Sequence, residues 1–315
     1  MRRRSVVAVV TILVAAMALR VCRDGVAGRG HWVRDGDTVM RDVQPSGSFE
    51  DRTFNEASGV APSLSEPGVF WGNNDSGNDE RLFAFDRAGR RLGDVRVRNV
   101  QNRDWEALAG GPCVDDPGAR CLYIGDVGDN GARRDKVVLY ALREPSQRSG
   151  QVSALRTLDV RYADGPHDVE AMYAGPNGTL WLVTKRPERA GSGRYRPSRV
   201  YEVPASAWGA GGPYVARIAD SVSVTPVTGA SHDWITDGSL SDIQPDGTRR
   251  LVLLSYGAVH VFSADAVTGK PGPLLARCAL PIADTAAEGV SWLPDGRILL
   301  VNEGKAGALY TGRCP

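Results

Sequence analysis

Acidic side chains return along this chain at intervals wide enough to mark a repeat. Glu56, Glu106, Glu170, Asp237 and Glu288 each head a short stretch of small and apolar residues, and the steps between them are 50, 64, 67 and 51 residues. A second polar group follows each: Asn73-Asn74-Asp75, Asp126-Val127-Gly128-Asp129-Asn130, Thr184-Lys185, Ser255-Tyr256 and Asn302-Glu303-Gly304-Lys305. Carboxylates and side-chain amides are hard oxygen donors, the set that Ca²⁺ takes with roughly six to eight ligands. Gathered without a partner, the same carboxylates would repel one another and lose hydration. The candidate cation ligands are Glu56, Glu106, Asp126, Asp129, Asn130, Glu170 and Glu288.

The cations carry a second signal. The chain has 34 arginines and four lysines, yet Lys185 and Lys305 both fall in these polar groups. An ammonium differs from a guanidinium in reach and hydration, so Lys185 and Lys305, with Asp75 and Glu303, are candidate ligand-binding residues. The competing role for such a lysine is to neutralise the acids around it. His167 stands beside Asp168 and Glu170 as a candidate acid–base cluster, and Glu106 is a candidate base toward a metal-bound water. The sequence has no Gly-x-Ser-x-Gly, no HExxH and no phosphate-cradling loop, so those hydrolase and nucleotide-binding classes have no support.

The elements that would position these residues are short strands. After each acid comes a turn signal: Pro67-Gly68, Pro117-Gly118, Pro176-Asn177-Gly178, Pro245-Asp246-Gly247 and Pro294-Asp295-Gly296. Asn-Gly and Asp-Gly accept positive φ and make hairpins. Two β-rich runs follow each turn, such as Leu180-Trp181-Leu182-Val183 and then Val200-Tyr201-Glu202-Val203, and some repeats add a fourth, such as Val95-Arg96-Val97. Four strands per repeat predict an all-β fold, a β-propeller of about five four-stranded blades, with six blades or a sandwich as alternatives. The start of the first strand and the end of the second lie at one end of a blade, so the acids should ring one mouth of the channel. Trp71, Trp105, Trp181, Trp234 and Trp292 are expected between blades, where large aromatics contribute most burial. The last repeat stops after three strands, and residues 37–43, with Val39, Arg41 and Val43 alternating, are expected to supply its fourth.

Residues 1–28 read as a secretory signal: Arg2, Arg3 and Arg4, then an apolar run to Leu19. An uncleaved anchor or a lipidated Cys22 is the alternative. The remaining single domain, 29–315, carries 33 basic and 36 acidic side chains, a net of −3, which gives nucleic acid no electrostatic support. No transmembrane segment is expected in the mature chain, and a monomer is. Export suits the even cysteine count. Cys113 and Cys121 flank a turn and are expected to pair, leaving Cys278 with Cys314.

Glu56-Ala-Ser-Gly-Val, Asn73-Asn-Asp-Ser-Gly, Asp104-Trp105-Glu106 and Tyr123-Ile-Gly-Asp-Val-Gly-Asp-Asn resemble exported bacterial propellers of the broad TolB-like, NHL and gluconolactonase-like group. The likeness covers residues 54–315 as architecture and these motifs in the first half. Some members hold a divalent cation at the channel mouth and hydrolyse lactones or esters; propeller phytases hold calcium on acidic rims and act on phosphate esters. The resemblance implies Glu56, Glu106, Asp126, Glu170 and Glu288 as ligands. The chain departs from it in the fourth repeat, where Ile235-Thr236 precedes Asp237 and the later group is Ser255-Tyr256. Fold analogy does not by itself give function. Two functions stay open: binding of a small ligand or protein at a calcium-holding mouth, or metal-dependent hydrolysis of esters, lactones or phosphate esters. Deletion of residues 31–45 is expected to prevent folding; a stable truncated protein in a thermal melt would count against ring closure.

Overall fold

The computed structural model describes residues 37–186, 196–209, 211–224, 234–282 and 286–315. The leader reading, Cys22, His31 and His232 lie outside the described residues. The first strand, β1 (Arg41–Ser48), stands apart from the regular order. Blade 1 follows with β2 (Ala57–Pro62), β3 (Val69–Asn74), β4 (Arg81–Asp86) and β5 (Arg91–Arg98). Blade 2 has β6 (Trp105–Pro112), β7 (Arg120–Asp126), β8 (Val137–Arg143) and β10 (Arg156–Tyr162), with a short β9 (Gln151–Ser153) inserted. Blade 3 has β11 (Val169–Ala174), β12 (Leu180–Thr184), β13 (Ser198–Val203) and β14 (Tyr214–Val222). Blade 4 has β15 (Ile235–Leu240), β16 (Arg249–Ser255), β17 (Ala258–Ala264) and β18 (Pro271–Ala279). Blade 5 has β19 (Ala287–Trp292), β20 (Ile298–Asn302) and β21 (Ala308–Arg313), with β1 as its outer strand.

The innermost strands β2, β6, β11, β15 and β19 pack side by side in cyclic order, and β19 returns to β2. The chain is a β-propeller. Its inner ring is tight: a Cβ on Gly59 would stand 2.3 Å from the backbone nitrogen of Leu108 in the next blade, so only glycine permits that approach.

Closure comes from the N-terminal side, as the sequence predicts. β1 pairs antiparallel with β21, with Arg41 opposite Arg313 and Ser48 opposite Ala308. The strand begins four residues later than the alternation around Val39 suggests. The reason is a competing partner: Met40 N donates to Ala279 O at 3.0 Å and Ala279 N to Thr38 O at 2.8 Å, which holds residues 38–40 on blade 4. Two further seams are parallel pairings of outer strands, β5 with β9 and β10 with β14.

The core lies between blades. Trp71 and Trp105 are buried with Leu82, Leu108 and Ile124 at one seam, and Trp181 with Tyr173, Leu253 and Phe262 at another. Each such aromatic buries on the order of 200 Å², about 5 kcal/mol of transfer free energy. Trp181 also satisfies its indole, donating Nε1 to Thr268 O at 2.7 Å. Trp292 is partly buried in its own seam, while Trp234 stands at the rim with the guanidinium of Arg186 4.3 Å above its ring.

Both disulfides form as expected, Cys113–Cys121 across the β6–β7 hairpin and Cys278–Cys314 between blades 4 and 5. The first closes a separation of 8 residues and the second one of 36. Loop-closure entropy makes the longer one worth more, about 3–4 kcal/mol against about 2–3. Replacing Cys278 and Cys314 by Ser should therefore lower the urea midpoint further than replacing Cys113 and Cys121; equal losses would remove this ordering.

Candidate functional site

Every innermost strand is bulged near its start. The register shifts fall between Trp105 and Ala107, Val169 and Ala171, Ile235 and Asp237, Ala287 and Gly289, and within Ala57–Val60. A bulge leaves one residue outside the ladder and re-aims its side chain. In blades 2 to 5 that residue is Glu106, Glu170, Thr236 and Glu288. In blade 1, counted from Ala57 opposite Asn74, it is Ser58. Glu56 therefore stands two residues ahead of the repeat position and Asp237 one residue past it. Matching acid to acid in the sequence overrode the backbone register. The ring consists of three glutamates and two hydroxyls.

The three glutamates converge on one cation. Lys185, just beyond β12, is nine-tenths buried and donates Nζ to Glu170 Oε1 at 2.6 Å. Burial would lower its ammonium, but Glu170, Glu288 and Glu106 outweigh that and hold it above the usual lysine range. Burial raises Glu170 in turn, with Lys185 opposing. Burial also pushes Glu288 up to about 7, against the hydroxyl of Tyr256, which donates to Oε1 at 2.8 Å. Glu106 is raised well above the usual range by burial and by Glu170, and Oε2 accepts the Ser58 hydroxyl at 2.9 Å. In blade 4 Thr236 Oγ1 donates to Ala287 O at 3.0 Å.

Asp237 does a different job. Its fully buried carboxyl accepts Gly238 N and Val290 N, each at 2.8 Å, and also the amide of Val60. Those amides come from three inner strands, so one side chain ties blades 4, 5 and 1 across the ring. Burial pushes it well above the usual carboxylate range against these bonds.

A second acidic group lies off the axis. Asp75, Asp104 and Glu106 each offer an oxygen within 4.8 Å of the others. Burial, with Asp75 next, raises Asp104 to about 6. Gly128 presses against this group: a Cβ there would stand 2.5 Å from Asp104 Cγ and 2.8 Å from Glu106 Cγ. Asn73 donates Nδ2 to the carbonyl of Trp105, between those two acids in the chain, and its Oδ1 is buried with no hydrogen-bond partner. Glu303 is exposed but raised by burial, Asp75 and Glu56, which marks it as a rim member. Glu56 accepts from Asn78 Nδ2.

The other expected residues have local duties. Asp126 pairs with the buried Arg134 at 2.8 Å and accepts Arg103 N. Asp129 accepts the amides of Arg133 and Arg134, each at 2.7 Å. Asn130 is exposed and accepts from Arg186 at 3.0 Å. Lys305 is exposed, with no hydrogen bond or ion pair among the described residues. His167 sits beside Asp164 and Arg199, at 3.3 and 2.9 Å, with its ring against Tyr162 and Tyr201. Those partners are outside the two acidic groups.

Sequence reasoning passed over Asp104, Ser58, Tyr256 and Arg134. Asp104 was visible two residues before Glu106. Ser58 would have followed from aligning the apolar residues instead of the acids.

No family model and no curated protein matches the sequence. Solved structures that resemble it include the glutaminyl cyclase of Myxococcus xanthus, at 14% identity over 88% of this chain and 98% of that one, with a TM-score of 0.49. A protein of Thermus thermophilus described as an oxidoreductase (glucose dehydrogenase) has 15% identity over 86% and 99%, TM-score 0.48. The soluble aldose sugar dehydrogenase of Escherichia coli has 12% identity over 86% and 98%, TM-score 0.44. Likeness at this level concerns architecture and says nothing of chemistry.

Lys185→Met would leave the buried Glu106 and Glu170 and the half-buried Glu288 without their cation. Removing one partner of a buried ion pair costs about 3–5 kcal/mol. In the variant these acids have folded pKa values above their unfolded ones, so the loss is full at high pH and shrinks as pH falls and they take up protons. Urea melts at pH 8 and pH 5 should show this difference, with Lys305→Met near wild type at both. A Lys185→Met loss that does not vary with pH would rule out the charge-balance role.

Proposed function

We propose that this chain is an exported, calcium-binding propeller that takes a small ligand at its acidic mouth, with the cation held off the axis by Asp75, Asp104 and Glu106. The observation that carries this reading is the convergence of those three carboxylates, of which only Glu106 is near Lys185. The donor set fits a hard cation. All three ligands are oxygens, Gly128 lets the backbone pack directly against two of them, and the neighbouring Asn73 has an unpaired amide oxygen. The bound cation would supply a fixed positive charge at the mouth, suited to an anionic or hydroxyl-rich small molecule. Export is supported by the basic and apolar N-terminal sequence and by two disulfides. No helix among the described residues is long and apolar enough to cross a membrane.

Hydrolysis of esters, lactones or phosphate esters is the second reading. It is favoured by the carboxyl of Glu106, which burial and Glu170 make a stronger proton acceptor than an ordinary carboxylate and which belongs to the cation group. Glu106→Gln should abolish any turnover found on such substrates; unchanged turnover would remove Glu106 as the base.

Calcium at millimolar concentration should raise the melting temperature, and EDTA should reverse the gain. Asp104→Asn and Gly128→Ala should each weaken calcium at least tenfold, the second by pushing Asp104 and Glu106 aside. Ligation needs ionised carboxylates, so a group titrating at about 6 makes affinity fall about tenfold between pH 7.5 and pH 5. A melting temperature indifferent to calcium and EDTA, with no metal in the purified protein by mass spectrometry, would exclude the cation.

A further inference from the structure

A cavity of about 330 Å³ opens behind Arg134, between the start of β8, the end of β10 and the loop into blade 3. Three cationic side chains line it, Arg134, Lys136 and Arg161, against one acid, Asp135. Arg161 is exposed and has no ion pair or hydrogen bond among the described residues. Lys136 keeps Asp159 at 2.5 Å. The deepest polar side chains lining it are Arg134 and Tyr162, each more than nine-tenths buried. Arg134 uses Nη2 on Asp126 and Nη1 on Gly128 O, each at 2.8 Å, but its Nε has no hydrogen-bond partner. The hydroxyl of Tyr162 has none either. Buried donors without acceptors are rare and costly. Of the acids on the inner side of Arg134, Asp126 and Asp129 are taken up by the Nη2 of Arg134 and by backbone amides; Asp168 accepts Asp129 N on Oδ1 and acts on Tyr162 through its charge without a hydrogen bond to it.

We propose that this cavity binds a small oxyanion, phosphate or carboxylate. Arg161 supplies the free charge, and the Nε of Arg134 and the hydroxyl of Tyr162 are the two unpartnered buried donors among the lining side chains. A guanidinium suits such groups because its planar donors match their oxygens. The volume is at the lower end of ligand pockets, which begin at roughly 300 Å³, so the anion carries a small organic body or none. The site is separate from the cation group but shares a residue with its surroundings, since the positive charge of Arg134 also lowers Asp104.

The test is isothermal titration of the full chain with inorganic phosphate and, separately, with malonate, in EDTA so that no anion is recruited through a cation. Saturable binding of at least one is expected, and the stronger of the two names the anion class. Arg161→Gln, on the surface, and Tyr162→Phe, which keeps the ring, should each weaken it at least fivefold. Lys305→Gln, an exposed lysine away from the cavity, should not. No saturable binding of either anion, or wild-type affinity in either cavity variant, would overturn the proposal. Asp104→Asn, which breaks the calcium reading, should still bind the anion at least as tightly as wild type, so the two readings fail separately.

Discussion

Two buried glutamates and a third that is half-buried stand together at one end of a narrow ring because one ammonium is buried with them. Without Lys185 the cost of desolvating Glu106, Glu170 and Glu288 would fall on the inner strands themselves. With it, the bulges that lift these residues out of the ladder become tolerable, and blades 2, 3 and 5 acquire a shared centre. Tyr256 and Ser58 complete the arrangement by giving Glu288 and Glu106 one hydroxyl each. The lysine thus performs at the axis the role that a metal would perform in a ring of bare carboxylates.

That balance moves the chemistry sideways. Blades 1 and 4 contribute hydroxyls at the repeat position, so neither adds charge to the axis. The acids of blade 1 lie further out, at Glu56 and Asp75, and there they meet Asp104 and Glu106 of blade 2. Asp237, which looks in sequence like a fifth ring member, is drawn into backbone bonding and makes the ring rigid where its two neutral blades face each other. A pseudo-symmetric scaffold carries an asymmetric site because its repeats agree in backbone and differ in side chain.

Much of this architecture was legible in the sequence. Turn pairs such as Asn177-Gly178 and Asp295-Gly296 fix where the chain reverses, and their φ requirement leaves few alternatives. The closing strand was legible from an incomplete last repeat, and the disulfides from spacing and count. The site was less so. A bulge adds one residue to a strand without any residue type that announces it, so Glu56 and Asp237 were placed in a column that belongs to Ser58 and Thr236. Lys185 could be located, but whether it served a ligand or the acids depended on a distance of 2.6 Å that no spacing encodes. His167 was close in sequence to Glu170 yet lies in the loop before β11 and turns to Asp164 and Arg199.

The β1–β21 pairing also sets an order of assembly. Arg41 can find Arg313 only after the strands of all the intervening blades have been made, so the ring closes late. Until then β1 must wait beside four unfinished or completed blades with open edges, any of which could capture a strand. Its composition suits the wait. Arg41-Asp-Val-Gln-Pro-Ser-Gly-Ser contains one aliphatic side chain and carries Pro45, which removes a ladder donor. A weak strand in isolation is a poor partner for the wrong edge, and it becomes a strand only where β21 supplies the register. The last interaction formed is thus the one least able to form early, and the Cys278–Cys314 bond beside it then makes the closure hard to reverse.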